Sequence, residues 1–165
     1  MGLSKNTIRV VQQTVPALRD RGEDITTRMY EILFSKHPET EALFKNAANQ
    51  NVKLAKAIVA YAENIEHLDQ LSETLNKLAR RRAKAGRRLP SSMAMWQLDE
   101  IAQRHVKAGV KPEHYPLVGD ALMSAIVDVL GRDVITDEVA AAWTEAYNHL
   151  AGMLQAREAI LYAAD

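Results

Sequence analysis

The chain has 165 residues, 47% of them apolar and 25% charged, which is the length of one domain with a substantial core and excludes a disordered chain. No apolar run approaches the roughly 20 residues that span a bilayer. The absence of cysteine excludes disulfides, thiolate metal sites, iron–sulfur clusters, a cysteine nucleophile and a thioether-anchored cofactor. The 21 basic and 21 acidic residues cancel, which argues against general nucleic-acid binding. The zero conceals one asymmetry: Arg80 to Arg88 (RRRAKAGRR) carries six positive charges and no negative one.

In chain order the pattern is helical. Met1 to Gln12 mixes charged and apolar residues and lacks a signal-peptide core, so the expected compartment is the cytoplasm. Ile8, Val11, Val15 and Leu18 follow helical spacing as far as Gly22, with Pro16 inside the segment as an expected kink. Ile25, Met29, Ile32 and Leu33 form a second stripe that stops before His37-Pro38, and Pro38 to Phe44 reads as a short helical turn. Lys45 to Asn49 reads as a loop. Leu54, Ile58, Tyr61 and Ile65 give the next stripe; Leu71, Leu75 and Leu78 give another. Pro112 opens a helix that ends at Gly131, and Thr136 starts a last long helix whose stripe includes Val139, Trp143, Ala146, Leu150, Leu154 and Leu161. No run alternates polar and apolar residues for long enough to make a strand. The expected class is all-α, with seven or eight helices.

One internal repeat interrupts this series. Leu78 to Gly86 (LARRRAKAG) matches Ile101 to Gly109 (IAQRHVKAG). In each copy four positions share one helical face: Leu75, Leu78, Ala79 and Arg82 in the first, Leu98, Ile101, Ala102 and His105 in the second. Two copies suggest a local tandem duplication rather than a solenoid. Between them, Arg87 to Gln97 reads as a loop or a helix broken around Pro90.

Of the five histidines, only His105 lies on an apolar stripe. His37, His67 and His114 fall at helix ends or junctions, and His149 is off the apolar face of its helix. A buried imidazole needs a partner, since leaving it unsatisfied costs about 1–3 kcal/mol. His105 is therefore either a satisfied core histidine or a ligand. There is no H-E-x-x-H, Walker loop, G-x-G-x-x-G or G-x-S-x-G word, and no paired E-x-x-H for a di-iron bundle. If His105 binds a metal, no further protein ligands accompany it. Haem needs only one, because the porphyrin supplies four nitrogens.

Several words, in order, resemble the globin family, specifically bacterial globins of the flavohaemoglobin type. They are Thr14 to Leu18 (TVPAL), Ile25 to Tyr30 (ITTRMY), His37 to Glu39 (HPE), Leu43-Phe44, Ala60 to Ile65 (AYAENI), Ile101 to His105 (IAQRH), Gly109 to Gly119 (GVKPEHYPLVG), Ala142-Trp143, Glu145 to Tyr147 (EAY) and Arg157-Glu158. The resemblance implies a three-on-three helical globin fold over residues 1–165, holding haem b non-covalently. It implies His105 as the iron ligand. Tyr115 and Glu158 match the pair that hydrogen-bonds around the proximal imidazole, where a carboxylate makes the ring a stronger donor. Tyr30 matches the distal tyrosine and Gln50 the distal glutamine. Leu54 matches the apolar wall above the iron, and Phe44 the phenylalanine that packs on the porphyrin.

The implied activity is reversible binding of dioxygen and other diatomic gases (NO, CO) and nitric oxide dioxygenation, which would detoxify NO. No flavin or NAD site follows, so a separate reductase is the expected electron donor. An oxygen carrier or store and a haem-based gas sensor are the alternative readings. The protein is expected as a monomer or homodimer, without nucleic-acid or membrane partners. About residues 79–101 fall outside the resemblance, as an insert before the helix of His105. Arg82 takes the equivalent place in the first copy, but arginine stays protonated and is a poor iron ligand. The insert is expected to bulge beside the proximal pocket. Its basic run reads as a tolerated surface segment, as a contact for an acidic reductase or the haem propionates, or as a membrane or nucleic-acid contact. Met93 and Met95 are weak candidates for iron contact.

Overall fold

Helix α1 (Lys5–Gln13) starts because Ser4 accepts a hydrogen bond from the Thr7 amide at 3.0 Å, as an N-cap. It ends at Thr14, whose hydroxyl donates to the Val11 carbonyl at 2.6 Å and accepts the indole N–H of Trp143 at 3.0 Å. The chain then restarts as α2 (Val15–Lys36). The expected kink at Pro16 is thus a boundary instead. Proline lies in the first turn of α2, where its missing N–H would have had no helical acceptor. The computed structural model describes residues 2–44, 49–82 and 93–164.

The expected stop at Gly22 is also corrected, because α2 runs straight through it. A Cβ at Gly22 would lie 3.4 Å from that of Ala55. The glycine marks a close helix crossing, and its intrinsic helical penalty of about 1 kcal/mol is offset by that packing. After α2, His37 leaves the helical region, with φ of −137° and ψ of 69°, because the proline that follows disfavours helical backbone there. Pro38–Phe44 forms a 3₁₀ helix, as its sequence suggests.

Helix α3 (Gln50–Arg82) unites the two stripes read between Leu54 and Leu78. His67 is exposed in the middle of α3 rather than at a helix end. Helix α4 (Met93–Ala108) includes Met93 to Gln97, so of the two readings of Arg87 to Gln97 this part is helix rather than loop. The insert is helical on both flanks: residues 79–82 continue α3 and 93–101 belong to α4. The rest of the basic run, Ala83 to Arg88, and Pro90 lie outside the described residues, as do Lys45 to Ala48 of the expected loop.

Gly109, with φ of 84°, stops α4 one turn past His105, and the Val110 amide then bonds the His105 carbonyl at 2.9 Å. Helix α5 (His114–Leu130) starts two residues after Pro112, where the His114 ring accepts the Lys111 amide at 2.9 Å. It ends at Gly131, and α6 (Asp137–Ala164) follows. No strand occurs among the described residues.

α2 packs against α3 and α5, while α6 packs against α1 and α4. Met29, Leu33, Ile65, Ile126 and Ile135 are fully enclosed in the main core, each burial stabilising by about 1.5–3 kcal/mol. A second apolar cluster joins Ala102 of α4, Tyr115 of α5 and Ala151 and Leu154 of α6. Tyr147 and Leu150 touch both clusters and connect them. Among the described residues no helix is long and apolar enough to cross a membrane.

Candidate functional site

Tyr30 of α2 lies at the edge of the main core, within an aromatic cluster. Its ring stacks on Phe34 at 5.5 Å between centroids and meets Phe44 edge-on at 5.2 Å. Phe34 and Tyr30 are one helical turn apart, and Phe44 is brought to them by the 3₁₀ helix. The Tyr30 hydroxyl is buried and makes no hydrogen bond. Burial pushes its phenol well above the ordinary range; the Gln50 amide, from the first turn of α3, opposes this without forming a bond of normal geometry. The phenol therefore stays protonated, a donor without an acceptor. Such a group costs about 1–3 kcal/mol to keep, which marks a place shaped for something the chain does not itself provide. Leu54, one turn beyond Gln50, packs against the same core.

His105 borders the second cluster. Its Nδ1 is 2.7 Å from Glu158 Oε1 and 3.0 Å from the Tyr115 hydroxyl. The Tyr115 hydroxyl donates to the same Glu158 oxygen at 2.5 Å. Glu158 is 2% exposed, although it is a carboxylate; two donors and an apolar surround explain how it is tolerated. Burial, then the neighbouring Glu158, push the Tyr115 phenol up, so it stays a donor. A carboxylate accepts only, so Nδ1 of His105 carries the proton and Nε2 carries the lone pair. The His105 side chain is 32% exposed, unlike the residues that hold it. Three helices, α4, α5 and α6, thus orient one imidazole with its other nitrogen free to act as a ligand.

A match to the globin family model covers residues 27–154, from α2 to α6. This chain belongs to the globin family. An uncharacterised globin-like protein of Aquifex aeolicus is 43% identical over 162 residues, covering 98% of this chain and 98% of its own length. The flavohemoprotein of Rhizobium meliloti is 35% identical across 97% of this chain, which spans only 35% of that protein. Among solved structures, a bacterial globin from Campylobacter jejuni superposes with a TM-score of 0.73 at 30% identity, covering 97% of this chain and 99% of that one. An engineered carbene transferase from Rhodothermus marinus, described as a candidate nitric oxide dioxygenase, superposes with a TM-score of 0.78 at 34% identity, covering 98% and 97%. The globin is of the flavohaemoglobin type.

The structure brings the expected residues into two groups: Tyr30, Phe44, Gln50 and Leu54 around α2 and α3, and His105, Tyr115 and Glu158 around α4 to α6. Two residues of this globin gain a part that sequence reading left unassigned. Phe34 completes the aromatic cluster, and its spacing from Tyr30 was the available signal. Tyr147 donates to the Tyr115 carbonyl at 2.7 Å, and Gly119 makes room for it, since a Cβ there would lie 2.6 Å from the Tyr147 ring. His149, read as off the apolar face, is in fact largely covered: its side chain is 14% exposed, and its Nδ1 is buried without a partner. Among the described residues no cluster of three or more His, Cys, Asp or Glu is arranged to hold a metal ion.

Proposed function

We propose that this globin holds haem b non-covalently through His105 and binds dioxygen, NO and CO beside Tyr30. Its proposed activity is nitric oxide dioxygenation in the cytoplasm, with a separate reductase as electron donor. The observation that carries this reading is the His105–Glu158 bond of 2.7 Å to a buried carboxylate. The names of the relatives support it, as does the TM-score of 0.68 to a Malassezia yamatoensis flavohemoglobin solved with bound FAD and heme, at 27% identity over 99% of this chain and 38% of that one.

The donor set fits the cofactor. His105 offers one nitrogen, and no cluster of metal-binding side chains accompanies it among the described residues, which suits a group that brings four nitrogens of its own. Haem held there would supply an iron at which a diatomic gas binds and, with dioxygen and one electron from the reductase, the chemistry that turns nitric oxide into nitrate. Glu158 accepts a hydrogen bond from the Nδ1–H of His105 and would make the ring a stronger electron donor to the iron, which favours the more oxidised metal. Tyr115 shares the carboxylate and fixes the ring plane. The Tyr30 hydroxyl, unpaired within the chain, would donate to the partial negative charge of a gas bound beside it. Such a bond slows dissociation about tenfold to a hundredfold. Gln50 holds a second amide near it, and Phe34, Phe44 and Leu54 exclude water.

The test is spectroscopic and then kinetic. Purified protein loaded with haem is expected to show a Soret band that shifts with dioxygen or CO, and His105→Ala is expected to lose it. Sustained NO consumption with a cellular reductase supports dioxygenation; a gas-responsive protein without turnover points to carriage. A protein that takes up no haem refutes the reading.

A further inference from the structure

The seam between α2 and α3 descends in three steps. Gly22 faces Ala55, with 3.4 Å to a Cβ built on the glycine. One turn on, the Thr26 hydroxyl lies 2.8 Å from the Asn51 carbonyl. One further turn on is Tyr30, which faces Gln50. Thr26 is 0% exposed and is a polar residue in an apolar layer. A hydroxyl has one proton to give. Its other acceptor, the Glu23 carbonyl in its own helix, is farther at 3.2 Å, so the proton goes across to α3. The neighbouring pair repeats the tie at the surface, where the Asn51 amide donates to the Thr27 hydroxyl at 3.3 Å.

These ties hold the first turn of α3, the part of a helix with fewest bonds of its own. That turn follows Asn49, a non-glycine residue with φ of 56°. Gln50 directly precedes the residue that Thr26 holds, and Tyr30 sits four residues after Thr26 on the same face of α2. The Thr26 hydroxyl, the buried one of these two ties, therefore bears on the separation of Tyr30 and Gln50.

We propose that Thr26 is a positioning residue that sets Gln50 against Tyr30 by anchoring the start of α3, and so tunes the gas-binding side of the site. The proposal rests on the functional reading above, and its test has one arm that does not. Thr26→Val replaces the hydroxyl by a methyl group of the same size and keeps the packing, and Thr26→Ser keeps the hydroxyl.

In the haem-loaded protein, the infrared C–O stretch of the CO complex in Thr26→Val is expected to move in the direction seen in Gln50→Leu. Dioxygen dissociation is expected to quicken about threefold to tenfold, part of what a lost hydrogen bond gives. Thr26→Ser is expected to restore both. In the haem-free protein, amide exchange at Lys53 to Ala55, the first amides of α3 with helical acceptors, is expected to quicken about threefold in Thr26→Val, as the anchor is lost. Unchanged exchange overturns the anchor whether or not haem binds. An unchanged stretch and rate, with Gln50→Leu shifted, overturn the positioning role while leaving the gas-binding reading intact. If Thr26→Val and Thr26→Ala both fail to fold and Thr26→Ser folds, the hydroxyl serves the fold and the positioning role is refuted.

Discussion

Replacing Glu158 by Gln tests the carboxylate at constant size. The side chain is 2% exposed and bonds His105 Nδ1 at 2.7 Å and the Tyr115 hydroxyl at 2.5 Å. Gln keeps an oxygen for both donors, so the geometry survives and the negative charge does not. A hydrogen bond to a charged group is worth about 1.5–3 kcal/mol and a neutral one about 0.5–1.5 kcal/mol. The difference, about 1–1.5 kcal/mol, favours the oxidised metal, because that state puts more positive charge on the ring. For a one-electron couple about 59 mV corresponds to a tenfold change, or about 1.4 kcal/mol. The reduction potential of haem-loaded Glu158→Gln is therefore expected to rise by about 40–65 mV by these same conversions. Spectroelectrochemical titration reads it directly. A shift under about 15 mV, well below the energy of one charged bond, or a shift downward, would refute the view that this carboxylate tunes the imidazole.

Two further outcomes follow from side chains with a buried, unpaired polar atom, the Tyr30 hydroxyl and Nδ1 of His149. Tyr30→Phe deletes a hydroxyl that makes no hydrogen bond within the chain, so the thermal midpoint of protein prepared without haem is expected to stay or rise, since an unmet buried polar group costs about 1–3 kcal/mol. The same change in the loaded protein is expected to quicken dioxygen dissociation about tenfold to a hundredfold, measured by stopped flow; a destabilised haem-free protein would contradict the orphaned donor. His149 is held below its ordinary value of 6.5 by burial, with the N-terminal charge adding and Asp69 and Glu145 opposing. The unfolded chain then binds more protons than the folded one below pH 6.5, so stability falls as pH drops through that window and is kept above it. Urea unfolding at pH 7.5 and 5.5 is expected to show a smaller pH loss in His149→Gln than in the unaltered chain; equal losses would place the effect elsewhere.

The helical class and the face of His105 were legible because both rest on spacing along one helix. Misreadings arose where one residue type serves two physical ends. Gly22 reads as a stop because glycine ends helices, yet here it lets α2 and α3 approach. Pro16 reads as a kink because proline breaks a helix interior, yet in a first turn it costs nothing and the break falls at Thr14. His67 was placed at a helix end because two apolar stripes looked like two helices, and α3 carries both.

The site itself is a long-range object, which is why local pattern alone left His105 open between a core residue and a ligand. The His105–Glu158 bond joins residues 53 apart in sequence, and Tyr115 reaches the same carboxylate across 43. No periodicity encodes such a pair; only the fold brings α4, α5 and α6 together at one oxygen atom. The same reasoning explains Thr26. Its neighbours in sequence make it an ordinary threonine on the inner face of a helix, and the carbonyl it meets is 25 residues away. The residues proposed to meet a ligand stand in family words such as IAQRH and ITTRMY. A side chain that only holds another in place becomes visible when a buried hydroxyl is traced to the one acceptor it can reach.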